Sequence, residues 1–316
     1  MINKLIGNTP MIKIKVNYKN IIKEIYIKLE FYNYTGSIKD RMTNYIINKA
    51  KKEEILKDKQ AIIEATSGNT GISLAALGAL YNHPVHIFMP DWASKERIEL
   101  MKLYGAKVYL ISKEEGGFRE AIKRADQLAK EIKGFRPDQF NNENNIEAHY
   151  NTTGLEIIKE SPDIDAFVSG IGTGGTLIGI AKRLKEYNSK IKIIALEPEN
   201  MSLLSKNKKV GTHKLEGIGD DFIPNIVDKS LIDDVITIND NDAIYISKLL
   251  AKKLGLGIGI SSGANFLAAI KQSENIVGTI FPDDAKKYLS TDLSKDIKPN
   301  DKTLLKDLEI ISLEVI

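Results

Sequence analysis

The chain has 316 residues and a formal net charge of +3, from 45 lysine and arginine residues against 42 aspartate and glutamate residues. This balance excludes an extended basic surface for nucleic acid, and the absence of cysteine excludes disulfides and thiolate metal sites. The length is sufficient for two domains with separate cores. The four histidines lie in no metal-ligand spacing, so we expect no metal site.

No segment has the features of a targeting peptide or a membrane span. The N-terminal residues lack a long apolar core. The longest uncharged stretch, 254–270, is interrupted by glycine and serine and falls short of the ~18 apolar residues of a spanning helix. We therefore expect a cytoplasmic protein that has neither a membrane nor a nucleic acid as partner.

Short apolar runs alternate with amphipathic stretches along most of the chain. The runs predict strands at 61–65, 85–90, 107–111, 165–169 and 192–196. The amphipathic stretches predict helices at 72–80, 94–104, 118–133 and 177–187. An asparagine-rich stretch, 138–145, is a candidate domain boundary or hinge, and 308–316 fits either a terminal strand or a helix. The alternation predicts α/β units on mostly parallel sheets, which bind ligands at the carboxyl ends of strands.

The loop at 169–176 is rich in glycine and lies between a predicted strand and a predicted helix. Its glycines can turn backbone N–H groups toward one point, where the helix N-terminus adds partial positive charge. Such a cup binds phosphate, although a tight connection without a ligand explains the glycines equally well. Gly170, Gly172 and Gly175 also match the G-x-G-x-x-G dinucleotide fingerprint, with Glu197 as its acidic residue. An NAD-dependent dehydrogenase is therefore an alternative function.

Two further loops carry polar side chains. The loop at 64–71 places four small hydrogen-bonding residues around two glycines at a helix start, more than one helix cap requires. We therefore expect it to bind a carboxylate or another anion. In the loop at 35–41, Lys39 follows Gly36 and Ser37, but its spacing alone does not mark it as catalytic.

Seven segments taken in order resemble the cysteine synthase and cystathionine β-synthase family of pyridoxal-phosphate enzymes. They are 5–10, 36–41, 66–71, 172–176, 216–219, 259–264 and 281–290. The resemblance implies an α/β fold of two three-layer αβα domains with mostly parallel sheets and the cofactor in the cleft between them, as in the tryptophan synthase β-subunit. It implies a smaller mobile domain at 33–144, a larger one at 1–32 plus 145–316, and a homodimer.

The resemblance also implies a role for each residue of the site. Lys39 forms the Schiff base with pyridoxal 5'-phosphate and moves the Cα proton. The other cofactor-binding residues are Gly172, Thr173, Gly174, Gly175 and Thr176 for the phosphate, Asn69 for the ring hydroxyl, and Ser261 for the pyridine nitrogen. The substrate-binding residues are Thr66, Ser67, Thr70 and Gln139 for the carboxylate, and Gly217 near the amino group.

The implied reaction is β-replacement or β-elimination on a serine- or cysteine-type amino acid through aminoacrylate. A serine beside the pyridine nitrogen cannot supply the negative charge that keeps this nitrogen protonated, so the cofactor is a weaker electron sink. Loss of a β-leaving group suits such a sink. Cysteine synthesis and breakdown of cysteine with release of hydrogen sulfide both remain open, with sulfide, a thiol or water as second substrate and cysteine, a thioether or serine as product.

The segment after Gly219 departs from both branches of the family. Asp221 fits the cystathionine β-synthase pattern of an aromatic residue followed by aspartate, but Asp220 fits neither branch. Asp220 is either a solvent-exposed turn residue or a catalytic acid–base whose pKa is raised by Asp221 and by burial. In the second case, a carboxylate near aminoacrylate would activate water or another nucleophile.

Overall fold

The computed structural model describes residues 2–207 and 211–316, which form two β-sheets flanked by helices. The strands are β1 Met11–Tyr18, β2 Ile21–Leu29, β3 Ile62–Ala65, β4 Val85–Pro90, β5 Lys107–Ile111, β6 Ala166–Gly170, β7 Lys192–Pro198, β8 Asp234–Ile238, β9 Ile276–Phe281 and β10 Leu308–Val315. The helices are α1 Lys39–Lys52, α2 Asn69–Tyr81, α3 Lys95–Leu103, α4 Gly117–Glu131, α5 Asn144–Asn151, α6 Thr153–Glu160, α7 Gly175–Tyr187, α8 Leu203–Lys206, α9 Asp240–Leu254 and α10 Ile260–Ile270.

The larger sheet has seven strands in the order β10-β1-β2-β9-β6-β7-β8. The five strands from β2 to β8 are parallel, whereas β1 runs antiparallel to both β2 and β10. The C-terminal segment, for which the sequence allowed a strand or a helix, is therefore an edge strand. β1 and β2 form a hairpin that was not predicted, and its two turn residues, Lys19 and Asn20, have φ of 53° and 64°.

The smaller sheet contains only parallel strands, in the order β3-β4-β5. Ile62 and Ile87 pack in one apolar cluster with α2, while Ile63 and Phe88 pack in another with α4. Because successive side chains on a strand point to opposite faces, helices cover both faces of this sheet. The larger sheet is likewise covered by α10 on one face and α7 on the other. The predicted α/β fold with three-layer packing is thus confirmed.

All strands of the smaller sheet lie within 33–144, and all strands of the larger sheet lie outside this range. The exact domain limits and the mobility of the smaller domain stay predictions. In the described part of the chain, no helix combines the length and the apolar character needed to cross a membrane. The carboxyl ends of β6 and β9 and the N-termini of α1, α2, α7 and α10 lie around one cavity, where most of the predicted cofactor-binding residues lie.

Candidate active site

Lys39 lies where two distant segments of the chain are bonded together. The amide of Ile38 donates to the Pro282 carbonyl (2.9 Å), just after β9, and the amide of Lys39 is 3.3 Å from Ser37 Oγ. Burial lowers the pKa of the Lys39 amine, although the carboxylates of Asp283 and Asp220 oppose this effect. A lysine in this environment reaches its neutral, nucleophilic form more readily than a surface lysine does.

A narrow cavity opens beside Lys39. Most of the predicted cofactor-binding residues line it together. They are Lys39, Asn69, Gly172, Thr173, Gly174, Thr176 and Ser261, with Gly217 at the same wall. Gly175 is the first residue of α7. Residues separated by more than two hundred positions in the sequence therefore meet at one site, and their roles there stay predictions.

The loop before α7 makes backbone contacts so close that only glycine fits. A Cβ at Gly172 would lie 2.3 Å from the carbonyl oxygen of Gly217, and Gly174 has φ of +87°. A Cβ at Gly175 would lie 2.0 Å from Asn145 Oδ1. These glycines therefore fix the tight path of the loop into α7, and the amides and partial positive charge at the N-terminus of this helix form a cradle that fits the phosphate of pyridoxal phosphate.

The two threonines of this loop are held by buried side chains. Asn145 Nδ2 donates to Thr173 Oγ1 (2.9 Å), and Thr176 Oγ1 lies 3.2 Å from His149 Nε2. Burial lowers the pKa of His149 well below its ordinary value, with Arg41 and Lys39 adding to the effect. His149 is therefore neutral and fixes Thr176 without placing a second charge at the cradle.

Two buried acceptor atoms at the other end of the cavity lack partners within residues 2–207 and 211–316. They are Oδ1 of Asn69 and Oδ1 of Asp283. Buried polar atoms are almost always hydrogen-bonded, so this end of the cavity fits a ligand with polar groups. Together with the phosphate cradle, the residues present fit pyridoxal phosphate, with Lys39 as the amine that would hold it.

The predicted substrate-carboxylate residues lie beside the start of α2. The hydroxyl of Thr70 donates to Gln139 Oε1 (2.7 Å), and Gln139 Nε2 donates to the Ala65 carbonyl (2.8 Å). The amide of Gly68 lies 3.0 Å from Thr66 Oγ1, and Ser67 is half-buried. The four residues, Thr66, Ser67, Thr70 and Gln139, thus form one polar wall, and their binding of a carboxylate stays a prediction.

An outer chamber joins the cavity through Gly217 and is lined by Ser67, Asp220, Asp221 and Arg119. Burial and the neighbouring charge of Asp221 raise the pKa of Asp220 to about 6, while Lys39 opposes the shift. Arg119 Nε donates to Asp221 Oδ2 (2.6 Å) and holds this loop against α4. Asp220 therefore faces the chamber at the side of Lys39 and is not a free turn residue.

Four buried or half-buried residues at the site were not singled out from the sequence. Asp283 Oδ2 accepts from Asn69 Nδ2 (2.6 Å) and from the Tyr288 hydroxyl. Arg97 Nη2 donates to Glu216 Oε2 (2.8 Å), and Arg97 Cζ lies 5.0 Å from the Tyr288 ring centroid. The signal for Asp283 was its position two residues after a buried parallel strand, where ligand-binding side chains are common.

The dehydrogenase alternative is not supported. In that alternative, Glu197 is the acidic residue of the dinucleotide fingerprint and binds a ribose. In the structure, its carboxylate accepts from the amides of Leu204 (2.8 Å) and Ser205 (3.0 Å) and so caps α8. Gly170 and Gly172 of the fingerprint instead line the cavity beside Lys39. Glu197 therefore has a structural role.

Comparison with known proteins gives one family. Residues 2–282 match the family model described as pyridoxal-phosphate dependent enzyme. Cysteine synthase from Staphylococcus aureus is 40% identical over 299 residues, which cover 92% of this chain and 96% of that protein. A crystal structure of a hydrogen sulfide-producing enzyme from Fusobacterium nucleatum is 46% identical, with a TM-score of 0.95, and the match covers 99% of this chain and 97% of that one. An Asp-to-Asn mutant of a hydrogen sulfide-producing enzyme, also 46% identical (TM-score 0.96, with the same coverage), has been crystallised with an α-aminoacrylate intermediate.

Proposed function

We propose that this chain, which belongs to the cysteine synthase family of pyridoxal-phosphate-dependent enzymes, catalyses a hydrolytic reaction. Enzymes of this family carry out β-replacement and β-elimination on amino acids. Cysteine and water give serine and hydrogen sulfide. The C–S bond at Cβ breaks, and a C–O bond from water replaces it. Asp220 accepts one proton from water, and the leaving sulfur acquires one proton, so the protons balance. The reaction needs no oxidant or reductant.

The observation that carries this proposal is the carboxyl group of Asp220 in the chamber next to Lys39. Its pKa of about 6, raised by burial and by Asp221, places its carboxylate form in the majority at neutral pH and makes it basic enough to take a proton from water. A general base whose pKa lies near the working pH is the most effective one. The similarity to hydrogen sulfide-producing enzymes supports the release of sulfide in this proposal.

The other steps belong to Lys39 and to the polar wall. Pyridoxal phosphate, when bound, supplies the electron sink that labilises the Cα proton and the β-leaving group. Lys39 would move the Cα proton, since its amine is buried and its pKa is lowered. The wall at Thr66 to Thr70 would hold the substrate carboxylate and orient Cβ toward Asp220, and the glycines at 172–175 would hold the cofactor phosphate.

Rapid mixing of Asp220→Asn with cysteine tests this assignment. The first sulfide equivalent per active site should appear at a rate within about twofold of the wild-type rate, because its release does not use the base. Later turnover should slow by about 10²-fold or more. Asp221→Asn is the matched control, since it alters the neighbouring charge and keeps Asp220. Equal slowing of both phases in Asp220→Asn would contradict the proposal.

We also infer that the enzyme is a cytoplasmic homodimer, as the resemblance implies. Light scattering coupled to size exclusion tests the assembly. A particle of twice the 35.2 kDa chain mass supports the dimer, and a particle of the chain mass at micromolar concentration contradicts it. Fractionation of cells tests the location, and recovery outside the cytosolic fraction contradicts it.

A further inference from the structure

Asp283 is a buried acid at the cofactor cavity that has no role in the reaction described above. It follows β9 at the carboxyl edge of the larger sheet, and its relative exposure is 1%. It lines the same cavity as Lys39, Asn69 and Ser261. An ionisable group is costly to bury unless its environment stabilises it, so its contacts need an explanation.

The two oxygens of this carboxylate have different surroundings. Oδ2 accepts from Asn69 Nδ2 (2.6 Å) and from the Tyr288 hydroxyl. Oδ1 is buried and, among the described residues, has no hydrogen-bond partner. A Cβ at position 259 would lie 2.0 Å from Oδ1, so Gly259 leaves the space into which this oxygen fits. The carboxylate is thus held by two donors at Oδ2, while Oδ1 is packed against Gly259 without a donor.

Cations surround Asp283 on several elements. Burial raises its pKa, while Lys287, the bonds from Tyr288 and Asn69, and Arg97 oppose the shift. Lys39 is a further cation that is attracted to the Asp283 charge. The Tyr288 hydroxyl stays a donor, because burial and Asp283 raise its pKa well above the ordinary value. Two cations, Lys287 and Arg97, and two donors therefore support the carboxylate form when the cofactor occupies Lys39.

We propose that Asp283 is a positioning residue for the cofactor, which directs the Asn69 amide toward the ring and places a negative charge beside it. Asn69 Nδ2 donates to Asp283 Oδ2 (2.6 Å) and more weakly to the Tyr288 hydroxyl (3.4 Å), which leaves Asn69 Oδ1, without a partner among the described residues, to accept from the ring hydroxyl. In a buried site, a negative charge close to the cofactor stabilises the protonated form of the cofactor. Asp283 thereby supplies a charge that the hydroxyl of Ser261 does not.

The test is the pH titration of the visible absorption band of the enzyme reconstituted with pyridoxal phosphate. Asp283→Asn keeps the side-chain volume and removes the charge. The proton leaves the cofactor more readily without that charge, so the titration midpoint should fall by about one pH unit, which corresponds to tenfold in the proton-binding constant. Asp283→Ser, a second variant without the charge, should shift in the same direction.

Tyr288→Phe is the matched control, since it removes one donor to Asp283 but keeps the charge. Its midpoint should stay at or above that of the wild-type enzyme. The proposal is overturned if Asp283→Asn titrates like the wild type, or if Tyr288→Phe shifts down as far as Asp283→Asn. It is also overturned if both Asp283 variants fold, by circular dichroism, but take up no cofactor, because Asp283 then serves binding alone. None of these outcomes depends on Asp220.

Discussion

Arg41 and Glu30 form a two-pronged ion pair in the interior of the protein. Arg41 Nε donates to Glu30 Oε2 (2.6 Å) and Nη2 donates to Oε1 (2.8 Å), and both side chains are fully buried. Arg41 also bonds Glu156 of α6 through Nη1 (2.6 Å). Arg41 lies two residues after Lys39, so this cluster fixes the start of α1 to the larger sheet and to α6. Lys39, which we propose as the catalytic lysine, thereby has a rigid support.

The Glu156 carboxylate predicts an acid-sensitive contribution to stability. Burial alone would raise its pKa, but the bonds and charge of Arg41, with Lys28, lower it to about 2. The contribution is present above the unfolded-state pKa and is lost as the pH falls toward 2. As the pH falls through this window, the unfolding free energy of the wild type should drop by about 3 kcal/mol more than that of Glu156→Gln. Urea titrations at several pH values measure it, and equal acid losses in both proteins would contradict the account.

Replacing Lys39 by alanine should abolish the covalent attachment of the cofactor. In the wild-type enzyme, borohydride should reduce the imine, abolish the visible absorption band and leave the cofactor as a covalent label on residue 39. The variant should instead release its cofactor on dialysis. Turnover should fall by about 10³-fold, the typical effect of losing a general acid–base. Lys287→Ala is a useful control, because Lys287 is also buried near Asp283. A label on another lysine of the wild-type enzyme would refute this role of Lys39.

Gly172→Ala should weaken cofactor binding. Its new Cβ would lie 2.3 Å from the Gly217 carbonyl oxygen, so the backbone must move and the phosphate cradle must open. We expect about a tenfold or greater rise in the dissociation constant for pyridoxal phosphate and a loss of about 1–3 kcal/mol of stability. Gly257→Ala is the matched control, since its nearest atom would be 3.9 Å away. Cofactor titration measures the dissociation constant, and urea unfolding measures the stability. Equal cofactor affinity in the two variants would contradict the assignment of this loop as the phosphate cradle.

The pH dependence of serine formation should follow Asp220. Its pKa of about 6 is raised by burial and Asp221, and only the carboxylate can accept the water proton. Steady-state serine formation should fall about tenfold per pH unit below this pKa. Asp221→Asn removes a charge that raises the pKa, so the acidic limb should move to lower pH. A limb that stays in place in Asp221→Asn, or persists in Asp220→Asn, would show that another group titrates.

Much of the fold could be predicted because local patterns and tertiary packing agree. The predicted strands at 85–90 and 107–111 have the observed bounds of β4 and β5. The predicted helix at 72–80 begins in fact at Asn69, since its polar first turn resembles a loop. The hairpin of β1 and β2 was missed although the burial of Met11–Tyr18 largely alternates.

The site was predictable only in part, for a physical reason. The glycine-rich loop shows its function in its own sequence, because the backbone geometry of a phosphate cradle is local. The role of Asp283 depends on Asn69, which lies 214 positions away, and the pairing of Arg97 with Glu216 spans 119 positions. No local pattern encodes such contacts. The same holds for the environment of Asp220. From the sequence alone, this residue could be either an exposed turn residue or a catalytic group.

The most direct test of the central claim is the fate of cysteine in ¹⁸O-labelled water. The reconstituted enzyme should produce sulfide and serine in equal amounts, with the label in the serine hydroxyl, and Asp220→Asn should release about one equivalent of sulfide per active site but form little labelled serine. Sulfide accompanied by pyruvate and ammonia instead of serine would contradict the account, as would turnover of O-acetylserine with sulfide in the absence of any activity on cysteine.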